Sequence, residues 1–389
     1  MKKILGKNKF IFPILIFIIT FVVYYLTSAG KTPYDYFTRL AASFLKGKCY
    51  LTENPAWLNE LIPAGQGKYF VVYPPMPAIL SIPFVLLLKN IFQQQYLAHL
   101  LGAGIVFFTI QISLKIKNDM KLAIWSGLLV SFGTIIWHLS ATGSSWYLGQ
   151  VTSCFFLMAA LNEGLGKKRP FLVGMFLGAS YLSRLTTILS FPFFIYLIMS
   201  KTKIKNIIKF SLGILPFVVF NFSYNLIRFG TIFDKGYLLI PEVLKESWYE
   251  QGLFNLSYIP RHLKAIFASF PIIKRVFPFI IPSWAGLSIW ITTPAFIYSF
   301  FSNIKERVVQ ISWLVITLIS LVIFSHGTTG FAQFGYRFAV DFYPFLIFLT
   351  IKGVAKGKLQ THHWILLIIS ILVNFWGVIW INKFGWVSF

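Results

Sequence analysis

The sequence predicts an all-α, polytopic integral membrane protein with about 11 transmembrane helices and juxtamembrane helices in its first external loop. Three observations predict it. First, 57% of the 389 residues are hydrophobic, 19% aromatic and only 12% charged, whereas soluble domains carry about 25% charged and roughly 45–50% apolar residues; the mean hydropathy is +0.73. Second, the apolar residues fall in runs near the roughly 20 residues that a bilayer-spanning helix needs. Third, Lys and Arg recur in short clusters between those runs, the pattern that sets membrane orientation. The same composition excludes disordered, coiled-coil and disulfide-scaffold classes. The formal charge of +24 does not point to nucleic acid, because the basic residues form no single patch interleaved with aromatics. Cys49 and Cys154 read as packing residues rather than a disulfide.

The elements follow in order. Residues 10–27, preceded by Lys2, Lys3, Lys7 and Lys9, read as an uncleaved anchor with a cytoplasmic N-terminus. A first external loop, 28–95, contains an apolar run at 76–88 of a length too short to span, so it reads as an interfacial helix opened by Pro74 and Pro75. Span two covers 96–114, inward to Lys115, Lys117 and Lys121; span three, 122–139, runs outward. Span four, 150–165, ends inside at Lys167, Lys168 and Arg169, and span five, 171–182, returns. Span six, 185–199, runs inward to Lys201, Lys203, Lys205 and Lys209, and span seven, 207–226, outward. After a second external loop, 228–282, span eight (283–301) leads in to Lys305 and Arg307, and span nine (308–325) leads out. Span ten, 338–351, ends at Lys352, Lys356 and Lys358; span eleven, 364–380, finishes outside. The inside clusters hold more than half of the 35 basic residues, and of the 11 acids only Asp119, Glu163 and Glu306 fall inside. One integral domain, 1–389, without internal repeats, is the simplest organisation. The orientation fits a plasma membrane with an extracytoplasmic C-terminus.

The chemistry-bearing residues gather at the external ends of the spans, while mid-depth holds little beyond Asn374. Ion-coupled transporters place ionisable groups at mid-depth. Polar chemistry at one interface instead fits work on a lipid-linked substrate. In the first loop, Thr32 reads as an N-cap, Pro33 as the first helical residue and Gly47 as the stop, with Asp35 and Arg39 one turn apart. Asp35 there has two readings, a helix-dipole partner paired with Arg39, or a general base just above the bilayer. Trp57, Leu58 and Leu61 read as one edge of a surface helix with Glu60 beside it, a second acid or metal ligand; 68–73 reads as extended. The stretch 327–344 places Arg337 and Asp341 four residues apart, either an ion pair at a helix start or an anion site in which Arg337 forks a phosphate, Asp341 orients it, and Gln333 and Tyr336 add hydrogen bonds. Arg184, at a tight turn, either snorkels or binds phosphate. His99 and His138 read as satisfied residues at helix ends. Residues 258–279 alternate basic and aromatic clusters around internal prolines and read as an interfacial cover over the site. No zincin, C-x-x-C, Walker or nucleophile-elbow motif is present.

Together these segments resemble bacterial membrane glycosyltransferases of the GT-C superfamily, near the protein mannosyltransferase and aminoarabinose transferase branch. The matching points run in order along nearly the whole chain. They are Asp35, the turn Tyr73-Pro74-Pro75-Met76-Pro77-Ala78, the lysines Lys115 and Lys117 ending an inward span, Leu182-Ser183-Arg184, Arg228-Phe229-Gly230, and Gln333-Phe334-Gly335-Tyr336-Arg337 with Asp341. The resemblance implies inverting transfer of a sugar from a polyprenyl-phosphate donor, with Asp35 as base and Arg39, Glu60, His99, Arg184, Gln333, Tyr336, Arg337 and Asp341 around the substrate. The acceptor would be a lipid, glycan or protein, membrane lipids the other partners; no cofactor is expected, and a divalent metal has no support in the sequence. The sequence departs from the pattern at Tyr36, where a paired acid would stand, and near His99, where an arginine often opens the second span. The competing readings are a transporter or assembly partner for lipid-linked saccharides, and a glycan polymerase or ligase. The enzyme needs an external cavity with Asp35 near Arg337 or Arg184; a transporter needs a midplane site.

Overall fold

A computed structural model describes residues 2–199 and 203–388. Helix α1 (Lys2–Leu26) leads into the first loop, which holds α2 (Tyr36–Phe44), a short antiparallel pair β1 (Leu61–Pro63) and β2 (Tyr69–Val71), and α3 (Met76–Leu88). Then come α4 (Gln94–Ile116), α5 (Met120–Phe132), α6 (Ile136–Thr142), α7 (Ser145–Leu165) and α8 (Pro170–Tyr181). A 3-10 segment, Leu185–Ser190, opens α9 (Phe191–Ile198), and α10 (Lys203–Phe229) follows. The second loop carries α11 (Gly236–Leu239), α12 (Ile259–Ala268) and the hairpin β3 (Ile272–Ile273)/β4 (Ile280–Ile281). The chain ends with α13 (Ile289–Thr292), a 3-10 segment Pro294–Phe301, α14 (Arg307–Phe324), a 3-10 turn Arg337–Asp341, α15 (Tyr343–Ala355) and α16 (Thr361–Ile379), extended by a π turn to Phe384.

Among the described residues, four helical stretches are long and apolar enough to cross a membrane: α4, 204–229 within α10, α14, and α16 with its π turn. A fifth is added if α5 and α6, bent by 50° at Gly133, count as one broken span. The chain is thus an all-α protein with membrane-spanning character. Burial separates inner from outer helices. The apolar window of α4 is 72% buried and that of α10 only 22%. α4 is wrapped by α1, α5, α6 and α7, whereas α10, α14 and α16 keep apolar flanks outward.

Helices α8 and α10 cross closely and use small residues, as membrane helices do when backbones must approach. A Cβ on Gly174 would lie 2.1 Å from the Phe210 carbonyl oxygen, and one on Gly213 2.2 Å from that of Phe171. Neither backbone can yield without separating the helices. Gly174→Ala is therefore expected to cost about 1–3 kcal/mol, the range of overpacked cores, read as a lower thermal midpoint. Gly357→Ala, which meets nothing within 4 Å, should not move it.

Several sequence expectations change here. The short apolar run at 76–88 forms a helix with those bounds, and both cysteines are free. Span eight is not one helix: its apolar run is broken at Thr293, whose backbone (φ −146°, ψ 68°) is pushed out of the helical region by Pro294. The first-loop helix starts at Tyr36, so Asp35 is its N-cap residue rather than its third, and Thr32 instead accepts a hydrogen bond from the Tyr34 amide in a local turn. Residues 54–60 form turns, not a surface helix, and Leu61 enters β1. Lys201, the first inward lysine after span six, and Phe389 lie outside the described residues.

Candidate functional site

The site is built on the segment that enters α15. Its loop is pinned on both sides: Leu287 donates its amide to the Phe334 carbonyl and accepts from the Tyr336 amide. Gln333 ties it inward, donating from Nε2 to the Ala285 and Thr329 carbonyls at 3.0 Å and accepting the Arg337 amide at 3.0 Å. Gln150 of α7 donates to the Arg337 carbonyl at 3.0 Å. Gly330, at φ +95°, allows the loop to lie against the guanidinium: a Cβ there would sit 3.3 Å from Arg337 Nε. Every bond therefore fixes the Arg337 backbone, and its charge is left over. The residue is 7% exposed, Nε has no hydrogen-bond partner, and among the described residues no carboxylate pairs with it. Burial lowers the proton affinity of its guanidinium.

Arg184 and Arg337 converge on one ring. Their guanidinium carbons lie 5.7 and 4.8 Å from the Phe338 centroid. The fork of Arg184 is largely occupied: Nε reaches both Asp341 oxygens at 3.1 Å, Nη2 reaches Oδ2 at 2.9 Å, and Thr186 donates to the same oxygen at 2.8 Å. The expected Arg337–Asp341 pair is therefore replaced by Arg184–Asp341. The reason is local geometry. Residues 337–341 form a 3-10 turn with three residues per turn, so positions four apart point in different directions, unlike in an α-helix.

Within electrostatic reach of Arg337 stands Glu60. Its Oε2 accepts from the Trp146 indole at 2.9 Å, and its amide donates to the Tyr36 hydroxyl at 3.1 Å. Glu60 keeps part of its surface accessible but is closely ringed by protein. Burial raises its carboxyl from 4.5 to about 7, against the opposing Trp146 hydrogen bond and Arg337 charge. The charges of Glu60 and Arg337 interact, and the two side chains form no ion pair. Tyr237, whose hydroxyl burial makes harder to ionise, feels Glu60 and both arginines. His326, held near 4 chiefly by burial, donates from Nδ1 to the Thr328 carbonyl at 3.1 Å and feels both arginines. Tyr336 lies beneath, its hydroxyl 2.6 Å from His262 Nδ1.

The remaining predicted residues stand elsewhere. Asp35 accepts from Arg39 Nε at 2.7 Å, and Arg39 also binds Glu53 at 2.8 Å. This triad lines an open cleft of about 570 Å³ with Lys31, Lys89 and Gln95. The structure brings no contact between Asp35 and either Arg184 or Arg337. One chain of contacts runs from beside Asp35 to Glu60: the Tyr34 ring lies 4.6 Å from Trp146, whose indole donates to Glu60. His99 is enclosed among Phe21, Tyr25 and Tyr96, with Nδ1 2.7 Å from the Ser140 carbonyl oxygen, and it does not join the arginine group. Asn374 donates to the Thr292 and Ser370 carbonyls, a strut between α16 and α13. Among the described residues no three His, Cys, Asp or Glu side chains gather as metal ligands.

Sequence reading missed Thr186, Trp146, Tyr237 and Phe338 as members of the group. Thr186 stands two residues from Arg184 and Phe338 next to Arg337, the local signals; Trp146 and Tyr237 come from distant segments with no motif of their own. No family model, no curated protein and no solved structure matches this chain.

Proposed function

We propose that the chain is an inverting glycosyltransferase of the extracytoplasmic membrane face, taking a sugar from a polyprenyl-phosphate donor. The observation that carries this reading is Arg337: a buried guanidinium with no ion-paired acid, beside Arg184 and within electrostatic reach of Glu60. A buried unpaired charge is costly unless an anion joins it, and a phosphate fits a guanidinium fork. In the step, an acceptor hydroxyl gives its proton to a carboxylate and its oxygen bonds to the anomeric carbon. The bond from that carbon to the phosphate oxygen breaks, and polyprenyl phosphate leaves with the electron pair. Arg337 and the free edge of Arg184 hold the charge that develops on the leaving group. Eleven crossings, with residues 60 and 245 outside, complete the reading; cysteine labelling of residue 245 from the cytoplasm would overturn that topology.

Two acids compete as base. Asp35 lines the large cleft, which favours it as the acid met by an incoming acceptor, but its charge is already paired with Arg39. Glu60 is within electrostatic reach of Arg337, and burial raises its carboxyl to about 7, which favours Glu60. The experiment is sugar transfer from a panel of polyprenyl-phosphate sugars, followed against pH. With Glu60 as base, turnover rises through about pH 7, and Glu60→Gln abolishes it while donor binding persists. If Asp35→Asn abolishes turnover and Glu60→Gln leaves both rate and pH limb intact, the base is Asp35. No transfer with any donor removes the enzyme reading and leaves the transporter or assembly partner. Stability carries a linked signature. A carboxyl with a raised folded-state value contributes stability that is complete below about 4.5 and is lost as pH rises through about 7. Glu60→Gln should flatten that decline.

A further inference from the structure

The β3–β4 hairpin of the second loop has more apolar surface exposed than any role in covering the site explains. Ile273 is 82% exposed, Val276 68% and Phe277 67%, and Phe270 and Phe279 are exposed beside them. The tip turns tightly, Lys274 donating to the Phe279 carbonyl at 2.6 Å, so these side chains are presented by an ordered turn. Two further observations say what covers them. The base of the hairpin is fastened to the end of α16, a helix long and apolar enough to cross a membrane. Ser388 donates to the Pro282 carbonyl, and Trp284 to that of Ser388. There Phe277 meets Trp386 at 5.1 Å, and Trp386 meets Trp380 at 5.3 Å, an aromatic cluster of the kind that marks a membrane interface. The charge is one-sided as well. No acid occurs between Glu250 and Glu306, whereas Lys264, Lys274 and Arg275 flank the exposed apolar groups.

We propose that the hairpin dips into the leaflet at the C-terminal end of α16 and prefers anionic lipid headgroups. The apolar tip enters the acyl boundary as an interfacial anchor does, and Lys274 and Arg275 stay at headgroup level. The anchor has a consequence for the site. The hairpin continues α12, whose His262 lies 2.6 Å from the Tyr336 hydroxyl and 2.8 Å from the His326 carbonyl oxygen. Seating the tip in lipid holds α12 as a wall beside the two arginines. The inference does not rest on the transferase reading.

The test uses the full chain, carrying Cys49→Ser, reconstituted in zwitterionic vesicles and in vesicles containing phosphatidylglycerol. Spin labels are attached at Ile273→Cys, Phe277→Cys and, as an aqueous reference, Glu250→Cys; Cys154 is buried. At 273 and 277, collisions with oxygen should exceed those with a water-soluble nickel chelate several-fold, reversed at 250. Depth should be greater in the anionic vesicles, and Lys274→Gln with Arg275→Gln should remove that difference only. An aqueous pattern at both tip positions overturns insertion. Shielding of both labels from oxygen and nickel alike also overturns it, in favour of a protein partner or a second copy. Equal depth in the two lipids, unchanged by the double substitution, overturns the headgroup preference.

Discussion

Arg337→Ala is expected to lower kcat/KM for a polyprenyl-phosphate sugar by about 10²–10³-fold, the loss seen when one preorganised donor to a developing anion is removed. Arg337→Lys should recover only part of it, because a lysine restores the charge but not the planar fork. The same position should behave in the opposite sense in stability. Its guanidinium is buried with no acid partner, and the two rings nearest it, Tyr147 and Phe338, supply only a weak electrostatic offset. Arg337→Met fills similar volume without the charge, so its thermal midpoint should be equal to or above that of the parent. A variant that is inactive yet at least as stable identifies a charge kept for a ligand. A variant that unfolds would make Arg337 a structural member of the loop, and the anion site would go with it. Added polyprenyl phosphate should raise the parent's midpoint by mass action and leave Arg337→Met unmoved.

The fold was legible where hydropathy alone decides it. The long apolar runs became α4, α10, α14 and α16, and the short run after Pro74 and Pro75 became α3 with its ends as read. It was less legible where an apolar run hides a break, as at Thr293–Pro294 and at Gly133, because mean hydropathy does not register backbone geometry. The site divides in the same way. Arg184, Arg337, Asp341, Glu60, Gln333 and Tyr336 were all legible as polar residues at span ends, and the structure gathers them. Their pairing was not. The i,i+4 rule assumes an α-helix, and the 3-10 turn at Arg337–Asp341 invalidates it. Glu60 acquires its raised carboxyl value from burial by segments distant in sequence, Trp146 at 86 positions away among its neighbours, and no spacing rule reaches that far.

The Arg184–Asp341 pair should prove asymmetric, and the asymmetry follows from burial. The Asp341 side chain is wholly buried, whereas 29% of the Arg184 side chain remains exposed. Removing Arg184 strands a carboxylate in the interior with only the Thr186 hydroxyl as donor. Removing Asp341 leaves a cation that still reaches solvent. Breaking a buried pair typically costs about 3–5 kcal/mol, and Arg184→Ala should fall in that range, with Asp341→Ala clearly below it. The double variant Arg184→Ala/Asp341→Ala should be more stable than Arg184→Ala alone, since it removes the stranded charge, and the cycle of four proteins isolates the coupling. Thermal midpoints read all of this. Equal losses for the two single variants would mean that water reaches Asp341 as readily as Arg184. The carboxylate would then no longer lock Arg184 beside Phe338, where it stands next to the unpaired Arg337.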